Sequence, residues 1–219
     1  MLLRLIHVLL GFHQQRVHSK FVIAILDYGS GNLRSAQRAF ETSGKEVQIT
    51  SDYETALNAE GLVVPGVGAF AACMTGLQSI RGDALVRERI SLKRPTLGIC
   101  VGMQILFASG VEHGAHKGVG IWGTTVEKLI APKLPHMGWN NYEVVNNNIL
   151  FENTIPDKGF YFLHSYYFRC NNSANIISTA EYGAKYTCAV NSGNIYGVQF
   201  HPEKSHHNGI QLLKNFANL

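Results

Sequence analysis

The 219-residue sequence is poor in several features, and each shortage removes a class of protein. Its four cysteines, Cys73, Cys100, Cys170 and Cys188, form no Cys-x-x-Cys pair, which argues against a disulfide scaffold and for a reducing, cytoplasmic setting. Charged residues are only 16% of the chain and the formal net charge is +4. Three of the basic groups, Arg4, Arg16 and Lys20, precede residue 21 with no acid among them, so the remainder is close to neutral and offers no footprint for nucleic acid. No apolar run approaches a membrane span. The longest candidate, in "MLLRLIHVLLGFHQQRVHSK", is interrupted early and has no small-residue cleavage site after it, so residues 1–20 are expected to be a poorly ordered extension and no membrane partner is expected. Repeats, linkers and low-complexity tracts are also missing.

What is present suits one α/β domain, with 46% hydrophobic residues for a sizeable core. "FVIAIL" is a fully apolar strand candidate, followed by the turn "DYGSGN" and a helical pattern in "LRSAQRAFETSG". Further strands follow in "KEVQIT", "GLVV" and "PTLGI", with helical patterns between the later ones. Apolar strands alternating with helices predict a mostly parallel sheet covered on both faces. From about residue 120 the texture becomes β-rich, in "GTTVEKLI", "GFYFLHSYYFRC", "KYTCAVNSG" and "NIYGVQF", which predicts a mixed or antiparallel extension of the same sheet. Residues 208–219 read as a closing helix.

Cys100 stands out in "TLGICVGMQILF". The strand ends there and a helical pattern starts almost at once, with Gly98 and Gly102 on either side, which is the layout of a nucleophile elbow. Flanking glycines relieve the crowding of such a turn, and a helix start would favour a thiolate and offer the Val101 amide to an oxyanion. A buried cysteine in a tight turn fits this segment equally well. About a hundred residues later, "GVQFHPE" places His201 and Glu203 two apart, able to stack as a base and its orienting carboxylate. A Cys100-His201-Glu203 relay follows if that strand end lies beside the elbow. "PGVGAF" adds a glycine-rich loop with Gly66 and Gly68, a weak anion signal by itself, and "GSGN" lacks the third glycine of a dinucleotide fingerprint. Cys73, Cys170 and Cys188 read as small buried hydrophobes. His113 with His116, and His206 with His207, lack the acidic or cysteine neighbours of a metal site and read as exposed, so no metal and no cofactor is expected. His164 reads as a half-buried strand histidine outside the relay.

At "GICVGMQ" and "GVQFHPE" the sequence resembles the class I (triad) glutamine amidotransferases, and more narrowly, through "DYGSGNLRS", "PGVGAF", "LPHMGWN" and "FHPEKS", the glutaminase subunits of imidazole glycerol phosphate synthase. The resemblance spans residues 21–219 and implies the flavodoxin-like fold of that family. It implies L-glutamine hydrolysis through a thioester on Cys100, with ammonia passed to a (β/α)8-barrel cyclase subunit in histidine biosynthesis. Carried over position by position, it implies Val67 and Val101 at the oxyanion hole and Gly66, Gly68, Gln104, Glu112, Ser165 and Tyr166 around glutamine. It places Met137, Trp139, Asn140, Tyr161 and Lys204 at the interface between subunits. Valine at 101 and the run "SGVEHG" depart from the usual pattern, the latter around Glu112. The loop "LPHMGWN" also reads, without the resemblance, as a tryptophan tucked under its own loop. Two other functions stay open: an ammonia-providing paralogue for acetamidino-sugar synthesis, and a hydrolase or binding module on the same fold. Gln104 and Trp139 argue against the last, which needs neither a glutamine pocket nor a partner for ammonia.

Overall fold

The computed structural model describes residues 22–219, so the expected extension at residues 1–20 lies outside the described residues. The first half alternates as expected: β1 (Val22–Leu26), α1 (Leu33–Glu41), β2 (Glu46–Thr50), α2 (Tyr53–Asn58), β3 (Gly61–Gly66), α3 (Phe70–Ser79), α4 (Gly82–Ser91), β4 (Thr96–Cys100) and α5 (Val101–Gln104). The second half runs β5 (Phe107–Gly110), β6 (His116–Lys117), β7 (Trp122–Lys128), β8 (His136–Asn140), β9 (Glu143–Val144), β10 (Phe160–His164), β11 (Tyr166–Phe168), β12 (Ile176–Tyr182), β13 (Ala184–Ser192), β14 (Ile195–Val198) and α6 (His206–Ala217).

The main sheet has the order β2-β1-β3-β4-β14-β13-β12-β9, parallel from β2 to β14 and antiparallel beyond. β3 and β4 are buried along their whole length, which is why their sequences are continuous rather than alternating apolar runs. The chain steps outward from β1 to β2 and then back past β1 to β3. Right-handed crossovers therefore put α1 on one face and α2, α3 and α4 on the other. α6 joins α1, where Phe40 and Phe216 meet edge to face at 6.1 Å. The reversal opens a crevice at the carboxyl ends of β1 and β3, the usual binding place in such sheets.

Three expectations need correction. "GTTVEKLI" and "GFYFLHSYYFRC" do not extend the main sheet: β10 pairs with β8 in a two-stranded sheet, and β11 joins β7, β5 and β6 in another. β7 and β10 alternate buried with less buried residues, so each packs one face against the rest of the fold. The helix after Cys100 stops at Gln104, and from Phe107 the chain is taken up as β5, paired with β7. Cys170 is half-exposed, with its thiol 3.2 Å from the Asn172 carbonyl, whereas Cys73 and Cys188 are buried.

Arg89 on α4 is fully buried. Its guanidinium donates to the carbonyls of Ala56, Leu57 and Ala59 at 2.9, 2.8 and 2.8 Å and to that of Pro95 at 2.7 Å, tying the α2–β3 turn to the start of β4. Burial, helped by nearby Arg94, lowers its pKa to about 10, which leaves it charged at neutral pH. Arg89→Met would strand these carbonyls in the interior. It should lower unfolding stability by about 3–5 kcal/mol, read from urea denaturation; a loss below about 1 kcal/mol would mean that other donors reach them.

Candidate active site

β4 ends at Cys100, whose φ of 53° and ψ of −118° no side chain adopts without strain. The strain is held by close backbone contact. Gly66 lies opposite Cys100 in the β3–β4 register, and a Cβ on Gly102 would fall 2.0 Å from the Val64 carbonyl oxygen. A Cβ on Gly98 would fall 2.6 Å from Met103 Cα. Only glycine fits at these places, and the thiol is pushed into a cavity of about 320 Å³. With α5 only four residues long its dipole is small, so help for a thiolate has to come from elsewhere.

That help is His201, buried with its Nδ1 2.9 Å from Glu203 Oε1 and sharing the wall of that cavity with Cys100. The two residues do not stack along an extended chain as expected; a 3-10 turn, Pro202–Lys204, folds Glu203 back under the ring. Burial disfavours the imidazolium, but the Cys100 thiolate and then the Glu203 carboxylate outweigh it and raise the His201 pKa. Two neighbours escaped sequence analysis. Asn32 Nδ2 donates to Glu203 Oε1 at 2.5 Å, giving "GSGN" a positioning role in place of anion binding. Gln199 Nε2 lies 3.7 Å from Cys100 Sγ, and the alternation in "VQFH", which turns residues 199 and 201 to one side, was its available signal.

The cavity is walled by Val67, Gly68, Val101, Gln104, Glu112, Ser165 and Tyr166, all expected, and also by Pro135, Leu163 and His164. Gly66 is not on this wall; it lies beneath, packed on the backbone of α5. His164 is buried rather than half-buried. Glu112 Oε2 accepts the Phe70 amide at 2.8 Å and so caps α3. Gln104 Nε2 donates to the Tyr166 carbonyl and to Gln199 Oε1, both at 2.9 Å. The Val67 amide donates to Ser30 Oγ at 3.1 Å, and the Tyr28 hydroxyl donates to the Pro65 carbonyl, so two residues of the β1 turn grip the glycine loop.

"LPHMGWN" is an edge strand, not a loop, and its tryptophan is not buried: Met137 is 64% and Trp139 50% exposed. Trp139 meets Tyr161 of β10 at 6.3 Å and His206 at 5.2 Å, and Lys204 Nζ lies 5.7 Å over the Tyr161 ring. Asn140, partly exposed on the same strand, donates its amide to the Glu181 carbonyl at 2.8 Å. His113, His206 and His207 are exposed, and among the described residues no group of three His, Cys, Asp or Glu side chains could hold a metal ion.

Residues 24–219 match the family described as glutamine amidotransferase class-I. The chain belongs to that family. Among curated proteins, this amidotransferase is 48% identical over 205 residues to the imidazole glycerol phosphate synthase subunit HisH of Corynebacterium glutamicum, covering 90% of this chain and 97% of that one. It is 50% identical over 199 residues to the protein of the same name from Mycobacterium tuberculosis (strain CDC 1551 / Oshkosh), covering 90% and 97%. Among solved structures, PurLQS from Thermotoga maritima aligns with a TM-score of 0.70 at 20% identity, covering 91% of this chain and 98% of that one. At such an identity this structure speaks for the fold alone. Among the described residues, no helix of the amidotransferase is long and apolar enough to cross a membrane.

Two other buried histidines give the amidotransferase an acid limit. Burial lowers His136 to about 4 and His164 to about 3; for His164, nearby His136 and His201 add to burial, and its bond to the Tyr166 carbonyl opposes it. Both folded values lie below the unfolded one, near 6.5. Between about pH 6.5 and pH 3 the unfolded chain therefore binds protons that the folded chain refuses, and stability falls as pH falls through that window. Urea titrations at pH 7 and pH 4.5 should differ by several kcal/mol, on the order of 3 for each ring fully titrated; equal midpoints would contradict the neutral assignment.

Proposed function

We propose that residues 21–219 form one amidotransferase unit that hydrolyses L-glutamine to glutamate and ammonia, as the glutaminase subunit of imidazole glycerol phosphate synthase in cytoplasmic histidine biosynthesis. The observation that carries this reading is Cys100 and His201 together on one cavity with Gln104, Ser165 and Tyr166, with the Glu203 carboxylate on the imidazole's Nδ1. The relatives at 48% and 50% identity support the histidine branch over the acetamidino-sugar one.

With Nδ1 donating to Glu203, His201 presents Nε2 to the thiol and takes its proton. The thiolate attacks the side-chain amide carbon of glutamine. His201 then returns the proton to the leaving nitrogen, and water admitted to the thioester releases glutamate by the reverse sequence. Asn32 and Glu203 hold the ring in the productive tautomer. The oxyanion calls for the amides of Val101 and Val67. The Val67 amide is engaged by Ser30, and Gly68, at φ 95°, gives the loop freedom to turn that peptide toward the substrate.

Ammonia set free in neutral water is mostly protonated and loses its nucleophilic lone pair, so a synthase partner has to receive it in a shielded path. The exposed Met137 and Trp139, with Tyr161 and Lys204 beside them, suit the docking of a (β/α)8-barrel cyclase.

Cys100→Ser should abolish glutamine-dependent synthesis by the assembled complex while ammonia-dependent synthesis survives, because a hydroxyl is far less acidic than a thiol. Assays with each nitrogen source decide this, and retained glutamine use would sink the assignment of the nucleophile. Ser30→Ala removes the acceptor that holds the Val67 amide. It should raise glutamate release by the isolated chain about fivefold, the equivalent of one hydrogen bond of about 1 kcal/mol; an unchanged or lower rate would mean that Ser30 does not restrain the loop.

A further inference from the structure

Tyr186 on β13 is buried, and the mechanism above makes no use of it. Its hydroxyl lies between two histidine rings, 3.1 Å from His136 Nδ1 on β8 and 3.2 Å from His164 Nε2 on β10. The outer nitrogens are also occupied. His164 Nδ1 is 2.9 Å from the Tyr166 carbonyl oxygen, and His136 Nε2 is 3.4 Å from Asn140 Nδ2. His136 is wedged between Tyr182 at 3.9 Å and Phe162 at 4.9 Å, both rings nearly parallel to it, so it has no room to tip out of line.

The direction of every bond in this row follows from one group. A carbonyl only accepts, so His164 carries its proton on Nδ1 and, being neutral, keeps a bare lone pair on Nε2. Tyr186 has one proton and must give it to that lone pair. Its oxygen can then only accept from His136, which therefore also carries its proton on Nδ1. His136 Nε2 is left to accept from the Asn140 amide. Burial keeps both rings neutral, as this arrangement requires. A free neutral imidazole side chain in water favours the proton on Nε2, so both rings are held in the less common tautomer.

The two ends of the row matter. Asn140 sits on β8, whose outward face carries Met137 and Trp139. The Tyr166 carbonyl lies on the cavity wall and also accepts from Gln104, whose second amide proton goes to Gln199, the residue beside Cys100 Sγ. We propose that Tyr186 is a positioning residue: its hydroxyl closes a one-way hydrogen-bond row, Asn140 to His136 to Tyr186 to His164 to Tyr166, that sets the glutamine-side wall of the cavity in register with the exposed strand β8. The row couples the surface where a partner docks to the peptide that Gln104 and its neighbours use to seat the substrate. The seating part rests on the glutaminase reading; the row itself does not.

Two measurements on the full chain test it. Long-range proton–nitrogen spectra of the histidine-labelled protein should show His136 and His164 with the proton on Nδ1, their signals assigned by His136→Asn and His164→Asn. In the double variant Tyr186→Phe/Asn140→Ala, which removes both partners of the His136 ring, His136 should lose that fixed tautomer while His164 keeps it through Tyr166. Either ring with its proton on Nε2 in the wild type, or an unchanged His136 in the double variant, overturns the row. The second measurement uses the chain bound to its synthase partner. Tyr186→Phe and Asn140→Ala should each raise KM for glutamine about three- to tenfold with kcat altered less than about twofold, and the double variant should do no more than either alone. Multiplying effects, or a loss in kcat with KM unchanged, overturn the coupling. If Tyr186→Phe fails to fold, Asn140→Ala on the half-exposed strand carries the KM test, and the wild-type tautomers carry the other. Loss of the glutaminase reading itself would appear separately, as glutamine hydrolysis that persists in Cys100→Ser.

Discussion

The contact between the end of β3 and the first turn of α5 is the constraint on which the rest of the site depends. Gly66 and Gly102 let two backbones approach more closely than any side chain would allow. That approach ends β4 at Cys100 and forces its left-handed, strained conformation, worth roughly 1–3 kcal/mol. The long buried strands β3 and β4 offset this easily. The same β3–β4 register sets Gly66 beside Cys100, so the loop that carries the Val67 amide begins next to the thiol. The thiol and the proposed oxyanion donors are thus placed by one packing decision rather than two.

Around this fixed point the protein places histidines of opposite character within one wall. His201 faces the Cys100 sulfur and the Glu203 carboxylate and is pushed toward the cation. His164 and His136 face a carbonyl, a hydroxyl and an amide, and burial holds them neutral. Residue type decides none of this; the partners do. Arg89 obeys the same rule at the other end of the sheet, where carbonyls and the Thr96 hydroxyl satisfy a buried guanidinium. In each case a polar group far from water is matched donor to acceptor, and so the interior can hold charge.

The small sheets turn this arrangement into a site. β8, β10 and β11 lie over the carboxyl ends of the parallel strands, so the peptide between β10 and β11 forms one wall of the cavity. The opposite side of β8 is left exposed with Met137 and Trp139 on it. β8 pairs with β10, so its exposed face stands one strand away from the peptide that walls the cavity.

The sequence by itself determined what is local. The elbow could be read because its glycines, apolar strand and turn lie within a few residues, and His201 and Glu203 because they are two apart in the chain. The parallel core was legible because burial on both faces writes itself as unbroken apolar runs. Even here the helix after Cys100 was overread, since a buried apolar run has no periodicity to separate helix from strand. Only the tertiary structure decided that "GTTVEKLI" and "GFYFLHSYYFRC" leave the main sheet, because half-buried strands look alike whichever sheet they join. It also decided the roles of Asn32, Ser30 and Tyr186. Their partners stand 171, 37 and 22 to 50 residues away, and a hydrogen bond, unlike an apolar face, leaves no pattern along the chain that tells which distant atom will complete it.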